Sequence, residues 1–160
     1  MSVPPGTYFA VAAGKPRENW ITQRADPHGN AHLWGNLGVV VDAARASKCV
    51  IVVAEEIVDP DVISSDPNRT LVPGFMVAAV VHEPWGAHPS PVQGYYGRDH
   101  AFFEEYHTQS RTVEGFGEWL GRWVMGVTDR HAYAEQLPLS RRTPLAVREH
   151  AYSAAADFGF

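Results

Sequence analysis

The segment Glu83–Pro89 (EPWGAHP) combines residue types that bind and activate small molecules. A histidine at position 88 can donate a hydrogen bond to a carbonyl or phosphate oxygen, or transfer a proton. Gly86 lets the backbone approach a ligand closely, and Pro89 stiffens the loop. We predict a catalytic role for His88 and substrate contacts from Gly86 and Ala87. The alternative is that His88 hydrogen-bonds backbone groups and only shapes the loop.

Two further groups of residues are candidates for the same site. Tyr95 and Tyr96 follow the loop and are predicted to bind substrate, with simple packing as the alternative. Glu55 and Glu56 follow the apolar run Val50–Ala54. A carboxylate at the end of a buried strand has a raised pKa and suits a general base or nucleophile, so Glu55 is a second catalytic candidate. The alternative is a helix N-terminus, where glutamates complement the helix dipole.

The eight histidines do not predict a metal site. His28 and His32 are four residues apart, but His28 lies in the turn signal Asp26–Asn30 (DPHGN). Pro and Gly at these positions favour a turn and not a helix, so the two imidazoles are not expected on one helix face. A metal needs three or four converging ligands, and no such set is evident.

The candidate residues must be positioned by strands. Trp20–Arg24 is predicted to be a short strand, and Cys49–Ala54 is a β-branched run typical of a strand buried on both faces of a parallel sheet. Phe75–His82 predicts another strand, which leads directly into the candidate loop. Between them, the apolar spacing of Asn36–Ser47 predicts a helix. Ligands of α/β proteins bind outside the carboxyl ends of such strands.

The last third of the chain is predicted to be helical. Helices are expected over Arg98–Gln109 and Thr143–Ala156, and Thr112 is predicted to cap a helix between them. In that middle helix, apolar residues recur at three- and four-residue steps and predict a packed stripe: Phe116, Trp119, Leu120, Trp123, Val124 and Val127. We therefore predict an α/β fold with an open, mainly parallel sheet, flanking helices and a helical C-terminal tail, divided into a core (1–110) and an extension (111–160) packed on the same domain.

Composition excludes several classes of function. The chain has 160 residues, is 45% hydrophobic and carries a net charge of −5, which does not favour nucleic-acid binding. Its apolar runs are shorter than the roughly 18 residues that span a membrane, and no signal peptide is expected. The single cysteine, Cys49, excludes an intrachain disulfide and favours a cytoplasmic location.

Several short motifs together carry a family resemblance. Over about Trp20–Leu137, the sequence resembles the A (α) subunit of class I CoA-transferases, especially the glutaconate CoA-transferase group. The motifs are, in order, Gln23-Arg24-Ala25-Asp26 with Gly29-Asn30, Trp34-Gly35, Glu55-Glu56-Ile57-Val58, Ser65–Thr70, Pro73-Gly74-Phe75, Pro84–Pro89 and Gln93–Tyr96, followed by Glu114-Gly115-Phe116, Trp119-Leu120 and Trp123-Val124.

The resemblance implies an open α/β subunit that shares its active site with a B-type subunit. Coenzyme A is then part of the substrate, and no permanently bound cofactor is expected. In such enzymes a glutamate of the B-type subunit forms a glutamyl-CoA thioester, so no residue here inherits the nucleophile role. Most of the N-terminal half of an A subunit has no counterpart in this sequence. Another chain is expected to supply it, unless this chain is a reduced homologue.

The leading functional hypothesis is a subunit of a hetero-oligomeric CoA-transferase-like enzyme, which acts on an acyl-CoA and a carboxylate at a composite site. An alternative is a CoA-thioester hydrolase, decarboxylase or lyase of the same superfamily, with His88 or Glu55 in proton transfer. A third hypothesis is a non-catalytic scaffold subunit that stabilises a catalytic partner.

Overall fold

The strands of the described chain form one five-stranded sheet with a buried apolar strand near its centre. The structure is a computed structural model that describes residues 17–35 and 37–147. The strand order is β4-β2-β1-β3-β5, in which β3 runs parallel to β1 and β5 while β2 pairs antiparallel with β1 and β4. The strands are β1 (Arg17–Ala25), β2 (Ala31–His32), β3 (Cys49–Ile57), β4 (Thr70–Val72) and β5 (Val77–His82).

The predicted turn at Asp26–Asn30 explains why part of the sheet is antiparallel. One Asp26 carboxylate oxygen accepts hydrogen bonds from the backbone N–H groups of His28 (2.8 Å) and Asn30 (3.0 Å). Gly29 has φ +92°, a conformation that glycine adopts without steric cost. A turn this short can join only antiparallel neighbours, so β2 folds back on β1. The predicted turn and the strand before it are confirmed.

The core of the sheet follows from the composition of β3. Val50, Val52 and Ala54 are buried, and β3 lies between two parallel partners. The prediction of a strand buried within a parallel sheet is therefore confirmed. The remaining buried members of this cluster come from β1, β2, β4 and the neighbouring helix and loop: Ala25, Ala31, Leu33, Ala44 and Val72.

Helices cover the sheet and form most of the region after it. The helices are α1 (Val40–Ala46), α2 (Pro60–Ser64), α3 (His100–Gln109), α4 (Val113–Leu120), α5 (Arg130–Gln136) and α6 (Leu139–Leu145), with 3₁₀ turns at Pro67–Arg69 and Gly74–Met76. Thr112 caps α4 as predicted, accepting from the Gly115 N–H at 3.0 Å. The predicted final helix Thr143–Ala156 differs, because α6 ends at Leu145; the part beyond Val147 lies outside the described residues.

The predicted aromatic stripe divides between a buried and an exposed face. Trp123 is buried against Phe102 of α3, with ring centroids 4.9 Å apart. Phe116 and Val124, by contrast, are 41% and 49% exposed. A π-helical turn, Gly121–Met125, follows α4 and changes the number of residues per turn in the segment that carries Trp123 and Val124. The later residues of the stripe therefore do not keep the α-helical spacing, whereas Phe116 lies before this turn, in α4.

No helix within residues 17–35 and 37–147 is both long enough and apolar enough to cross a lipid bilayer.

Candidate active site

The candidate loop lies beside the carboxyl end of β3. It follows β5, and the Glu83 N–H donates to the Ala54 carbonyl at 2.9 Å, which continues the pairing of the two strands. Trp85 has φ +64°, an uncommon conformation for a bulky residue. A Cβ added to Gly86 would lie 2.8 Å from the Glu83 carbonyl oxygen, so a side chain does not fit there. The loop thus has a specific backbone shape that its neighbours must hold.

Glu55 holds the first half of the loop. Its side chain is buried, and its two carboxylate oxygens accept hydrogen bonds from the Trp85 N–H (2.6 Å) and the Tyr96 hydroxyl (2.5 Å). Burial raises the pKa of the Glu55 carboxyl, while the hydrogen bond from Tyr96 works in the opposite direction. Glu55 is therefore bound on both oxygens and turned into the protein.

Tyr96 links the carboxylate to the middle of the loop. Its hydroxyl donates to Glu55 and accepts from the Ala87 N–H at 3.0 Å. Its ring stacks on Trp85 with centroids 4.4 Å apart. Burial and the adjacent Glu55 raise the pKa of the Tyr96 hydroxyl, so this group stays protonated at neutral pH. It acts as a fixed donor and acceptor.

His88 holds the second half of the loop through a separate network. Its side chain is 0% exposed, Nδ1 lies 2.8 Å from the Tyr133 hydroxyl, and Nε2 lies 3.0 Å from Asp99 Oδ2. Because a carboxylate only accepts, Nε2 donates to Asp99. Burial lowers the pKa of His88, which favours the neutral ring, and in that form Nδ1 accepts from the Tyr133 hydroxyl.

Asp99 joins this network to two helices. It caps α3 by accepting from the Phe102 N–H at 2.9 Å, and it accepts from Arg141 of α6 at 2.5 Å. Burial opposes the charge on Asp99, but hydrogen bonds from Arg141, Phe102 and His88 hold its pKa below the ordinary value. The acceptor that orients His88 is therefore an ionised carboxylate.

Arg130 completes the anchoring of the loop from α5. It donates from Nη2 to the carbonyl oxygens of Trp85 (2.8 Å) and His88 (2.7 Å). Its guanidinium carbon also lies 4.0 Å from the ring centroid of Tyr133, on the same helix. The shape of the loop is consequently determined by the end of β3 together with helices α3, α5 and α6.

Neutral histidines in the folded state predict loss of stability in mild acid. Burial lowers the pKa of His88 and also that of His32, whose ring lies between Arg24 and the Ile63 carbonyl. Because each folded pKa lies below the unfolded one, the unfolded chain binds more protons as pH falls through about 6.5. We expect the free energy of unfolding to fall between pH 7.5 and 5.5, by at most about 1.4 kcal/mol per pH unit per histidine.

Chemical denaturation across this pH range measures the effect. His88→Gln should reduce the slope, and His107→Gln, a change at an exposed residue of α3, is the control for replacing a histidine outside the buried network. The raised pKa of Glu55 contributes to the pH dependence of the free energy of unfolding with the opposite sign. That contribution is the same in the wild type and in both variants. Identical slopes for the wild type and His88→Gln would contradict the neutral, buried state of His88.

An open cleft of about 1150 Å³ lies on one side of the loop. Among the predicted site residues, Ala87, Tyr95 and Tyr96 line it. The Tyr95 hydroxyl donates at 2.8 Å to Glu56, which also lines this cleft. The other parts of the wall combine apolar and polar side chains: Ile21, Leu33, Leu37, Val40, Pro91 and Val92 with Gln23, Arg24, Trp34 and Arg69.

The structure therefore separates the predicted site residues. Glu55 and His88 lie behind the loop, within its anchoring networks, while Ala87, Tyr95 and Tyr96 line the cleft. Gly86 is not among the residues that line it. The backbone N–H groups of Gly86, Ala87 and His88 all donate within the protein, to Glu83, Tyr96 and Trp85 respectively. These three backbone N–H groups are therefore already hydrogen-bonded, and a ligand would contact the loop through its surface atoms.

One interpretation from the sequence is wrong. Glu55 and Glu56 do not begin a helix; both belong to β3, and α2 starts only at Pro60. The strand continues because β1 pairs with it as far as Ile57. Glu55 points to the buried side and Glu56 to the exposed side, as alternation along a strand requires.

Several residues of the site were not predicted from the sequence. Asp99, Arg130, Tyr133 and Arg141 all contact the loop directly or through one residue. The only local signal was Asp99, which lies at the start of the predicted helix Arg98–Gln109 and could have been interpreted as its cap. Among the side chains of residues 21–35 and 37–147, no three His, Cys, Asp or Glu groups are arranged to hold a metal ion.

Sequence comparison finds relatives among the A subunits of CoA-transferases. The chain is 38% identical over 125 residues to the A subunit of glutaconate CoA-transferase from Acidaminococcus fermentans, covering 78% of this chain and 39% of that relative. It is 41% identical over 121 residues to the A subunit of 3-oxoadipate CoA-transferase from Pseudomonas knackmussii, covering 75% of this chain and 42% of that relative. The chain spans about two-fifths of the length of these relatives. No protein-family model matches the sequence.

Structural comparison gives the same result. The crystal structure of glutaconate coenzyme A-transferase from Acidaminococcus fermentans matches 84% of this chain and 42% of that chain, with a TM-score of 0.79 and 36% identity. The crystal structure of a variant of the decarboxylase AibA/AibB matches 69% of this chain and 41% of that chain, with a TM-score of 0.51 and 27% identity. The resemblance predicted from the short motifs and the predicted fold class are both confirmed.

Proposed function

We propose that this chain, a homologue of CoA-transferase A subunits, forms part of a hetero-oligomeric enzyme that transfers CoA between an acyl group and a carboxylate. The observation that carries the proposal is the identity of 38% and 41% to two such subunits over about three-quarters of the chain. A B-type subunit is the partner, while a further segment or chain supplies the rest of an A subunit. Coenzyme A enters as part of the substrate.

In this proposal the cleft beside the loop is one wall of a composite active site. Ala87, Tyr95 and Tyr96 contact substrate, because they are the predicted site residues that line the cleft. Gly86 contributes by its size, since a side chain at this position would meet the Glu83 carbonyl and displace the loop. The nucleophilic glutamate comes from the B-type subunit. Glu56 of this chain also lines the cleft, where it accepts a hydrogen bond from the Tyr95 hydroxyl.

Glu55 and His88 serve as positioning residues for that wall. Both are buried, and Glu55 is hydrogen-bonded through both oxygens and His88 through both ring nitrogens. They place opposite ends of the same short loop, which carries Ala87 between them. A loop fixed from two sides keeps reacting groups in register, a condition on which catalytic rates depend strongly.

Reconstitution with the remaining A-subunit segment and with a B-type subunit tests the function. We expect the complex to transfer CoA from an acyl-CoA to a free carboxylate, and the chain alone to show no turnover. Hydroxylamine should inactivate the complex only after acyl-CoA has been added, because it cleaves a glutamyl thioester. The control is the complex treated with hydroxylamine without acyl-CoA. Turnover without such inactivation would contradict the transfer mechanism.

Decarboxylation is a second candidate, favoured by the likeness to the decarboxylase AibA/AibB. The same reconstituted complex distinguishes the two reactions. Release of carbon dioxide from a carboxylated acyl-CoA, without transfer of CoA to an acceptor acid, would support decarboxylation. In that case the positioning roles of Glu55 and His88 are unchanged, because they concern the loop rather than the bond that breaks.

A further inference from the structure

Two arginines flank one tryptophan in the cleft. The guanidinium carbon of Arg24 lies 5.5 Å from the ring centroid of Trp34, and that of Arg69 lies 5.1 Å from it. All three side chains line the cleft. Cation–π contacts of this kind hold a guanidinium in place without neutralising its charge. The cleft therefore holds two guanidinium groups against one ring, and the carboxylate of Glu56 lines it as well.

Most hydrogen-bonding capacity of these arginines is unused within the described residues. Arg24 donates from Nε to the neutral ring nitrogen Nδ1 of His32 at 3.1 Å, and Arg69 pairs through Nε with Asp66 at 2.8 Å. Neither interaction involves an Nη nitrogen, and the side chains described, those of residues 21–35 and 37–147, supply no further hydrogen-bond partner to either guanidinium. Glu56, which pairs with Arg24 across β1 and β3, instead accepts the Tyr95 hydroxyl.

The wall beside the arginines is apolar. Leu33, Leu37 and Val40 line the same cleft, and Ile21, which is 39% exposed, lies on it from β1. A cleft that combines apolar side chains with a few fixed polar groups is the usual form of a small-molecule site. At about 1150 Å³ it has room for a ligand larger than a simple inorganic ion.

We propose that this cleft binds an organic anion, with its carboxylate or phosphate on the unpaired guanidinium nitrogens of Arg24 and Arg69 and its apolar part against Leu33, Leu37 and Val40. Paired N–H donors of a guanidinium match two oxygens of either group, which gives both affinity and orientation. The inference rests on the proposed function, since acyl-CoA carries phosphates and the acceptor acid carries a carboxylate.

Calorimetric titration of the full chain tests the site directly. The probes are CoA, 3′-dephospho-CoA and glutarate, each at low and at moderate salt. We expect binding that weakens with salt, and an Arg69→Gln variant that binds roughly tenfold to hundredfold more weakly, as loss of a charged hydrogen bond implies. Arg98→Gln is the matched control, because Arg98 also stacks on an aromatic ring, Phe103 at 4.1 Å, but does not line the cleft.

The probes separate the two sources of the anion. If CoA binds more tightly than 3′-dephospho-CoA, and this difference in affinity disappears in Arg69→Gln, the anion is the phosphate. If glutarate binds with the same dependence on Arg69, the anion is the carboxylate. Arg24→Lys is the second variant, which keeps the charge but removes the planar donor pair and should also weaken binding. Failure of all three probes to bind, or equal affinity of the wild type and Arg69→Gln, would overturn the inference.

The transfer assay separates this inference from the proposed function. Binding that depends on Arg69 in a chain whose reconstituted complex transfers no CoA would overturn the function and leave the anion site. If the complex transfers CoA but the wild type and Arg69→Gln bind the probes with equal affinity, the anion site is overturned and the proposed function remains.

Discussion

Replacing Asp99 with alanine should destabilise the chain by about 3–5 kcal/mol, because it removes one buried carboxylate from three interactions at once. The Asp99 side chain is 4% exposed and accepts from His88, from Arg141 and from the Phe102 N–H. The variant leaves the His88 N–H without an acceptor in a buried site, and leaves Arg141 with Glu105 as its remaining carboxylate partner among the described residues. Chemical denaturation at neutral pH measures the loss.

Asp129→Ala is the matched control for this prediction. Asp129 caps α5 by accepting from the Ala132 N–H at 2.7 Å, just as Asp99 caps α3, but no ion pair of Asp129 occurs within residues 17–35 and 37–147. Loss of a cap alone costs about 1 kcal/mol. We therefore expect Asp99→Ala to be several times more destabilising than Asp129→Ala. Equal losses would mean that the His88–Asp99–Arg141 network adds no stability beyond capping.

His88→Ala should lower the activity of the reconstituted complex by roughly tenfold to hundredfold, well beyond its effect on folding. The change removes the ring that joins the loop to Asp99 and Tyr133, so the backbone that places Ala87 on the cleft wall loses its second anchor. Because the substituted side chain is buried, the effect reaches the substrate through loop position. The measurement is kcat and KM at a temperature at which circular dichroism shows the variant to be folded.

Two further variants separate positioning from simple folding. His88→Gln retains an N–H donor that can reach Asp99, so it should recover part of kcat. His100→Ala, at an exposed residue of α3, should leave both activity and stability unchanged. If His88→Ala retains the wild-type kcat and KM once folded, the positioning role is excluded.

The parts of the site that sequence reasoning found are those with a local cause. The apolar run before Glu55 predicts a buried strand, and the proline, glycine and histidine after His82 predict a shaped loop; both lie where expected. The partners of His88 were not found, because Asp99 and Tyr133 are 11 and 45 residues away along the chain. No periodicity connects residues that meet only when α3 and α5 pack beside the loop.

Tyr95 and Tyr96 also show that the sequence does not reveal which side chain is buried. Tyr95 and Tyr96 are equivalent in sequence terms, yet Tyr96 is buried and donates to Glu55 whereas Tyr95 donates to Glu56 at the cleft. Consecutive residues of an extended segment point to opposite sides, and Tyr96 makes backbone bridges with Val92 and with Ala146. Ala146 lies fifty residues later in the sequence, after α6, so local sequence does not show which of the two tyrosines is buried.

Residue type, spacing and order were sufficient to predict the central strand, the Asp26–Asn30 turn and the likeness to CoA-transferase A subunits. Three features required the folded molecule: Glu55 and His88 lie behind the loop, His88 is neutral, and Arg24 and Arg69 converge on Trp34. The reason is that access and charge depend on burial and on neighbours from distant segments, and packing alone brings those neighbours together.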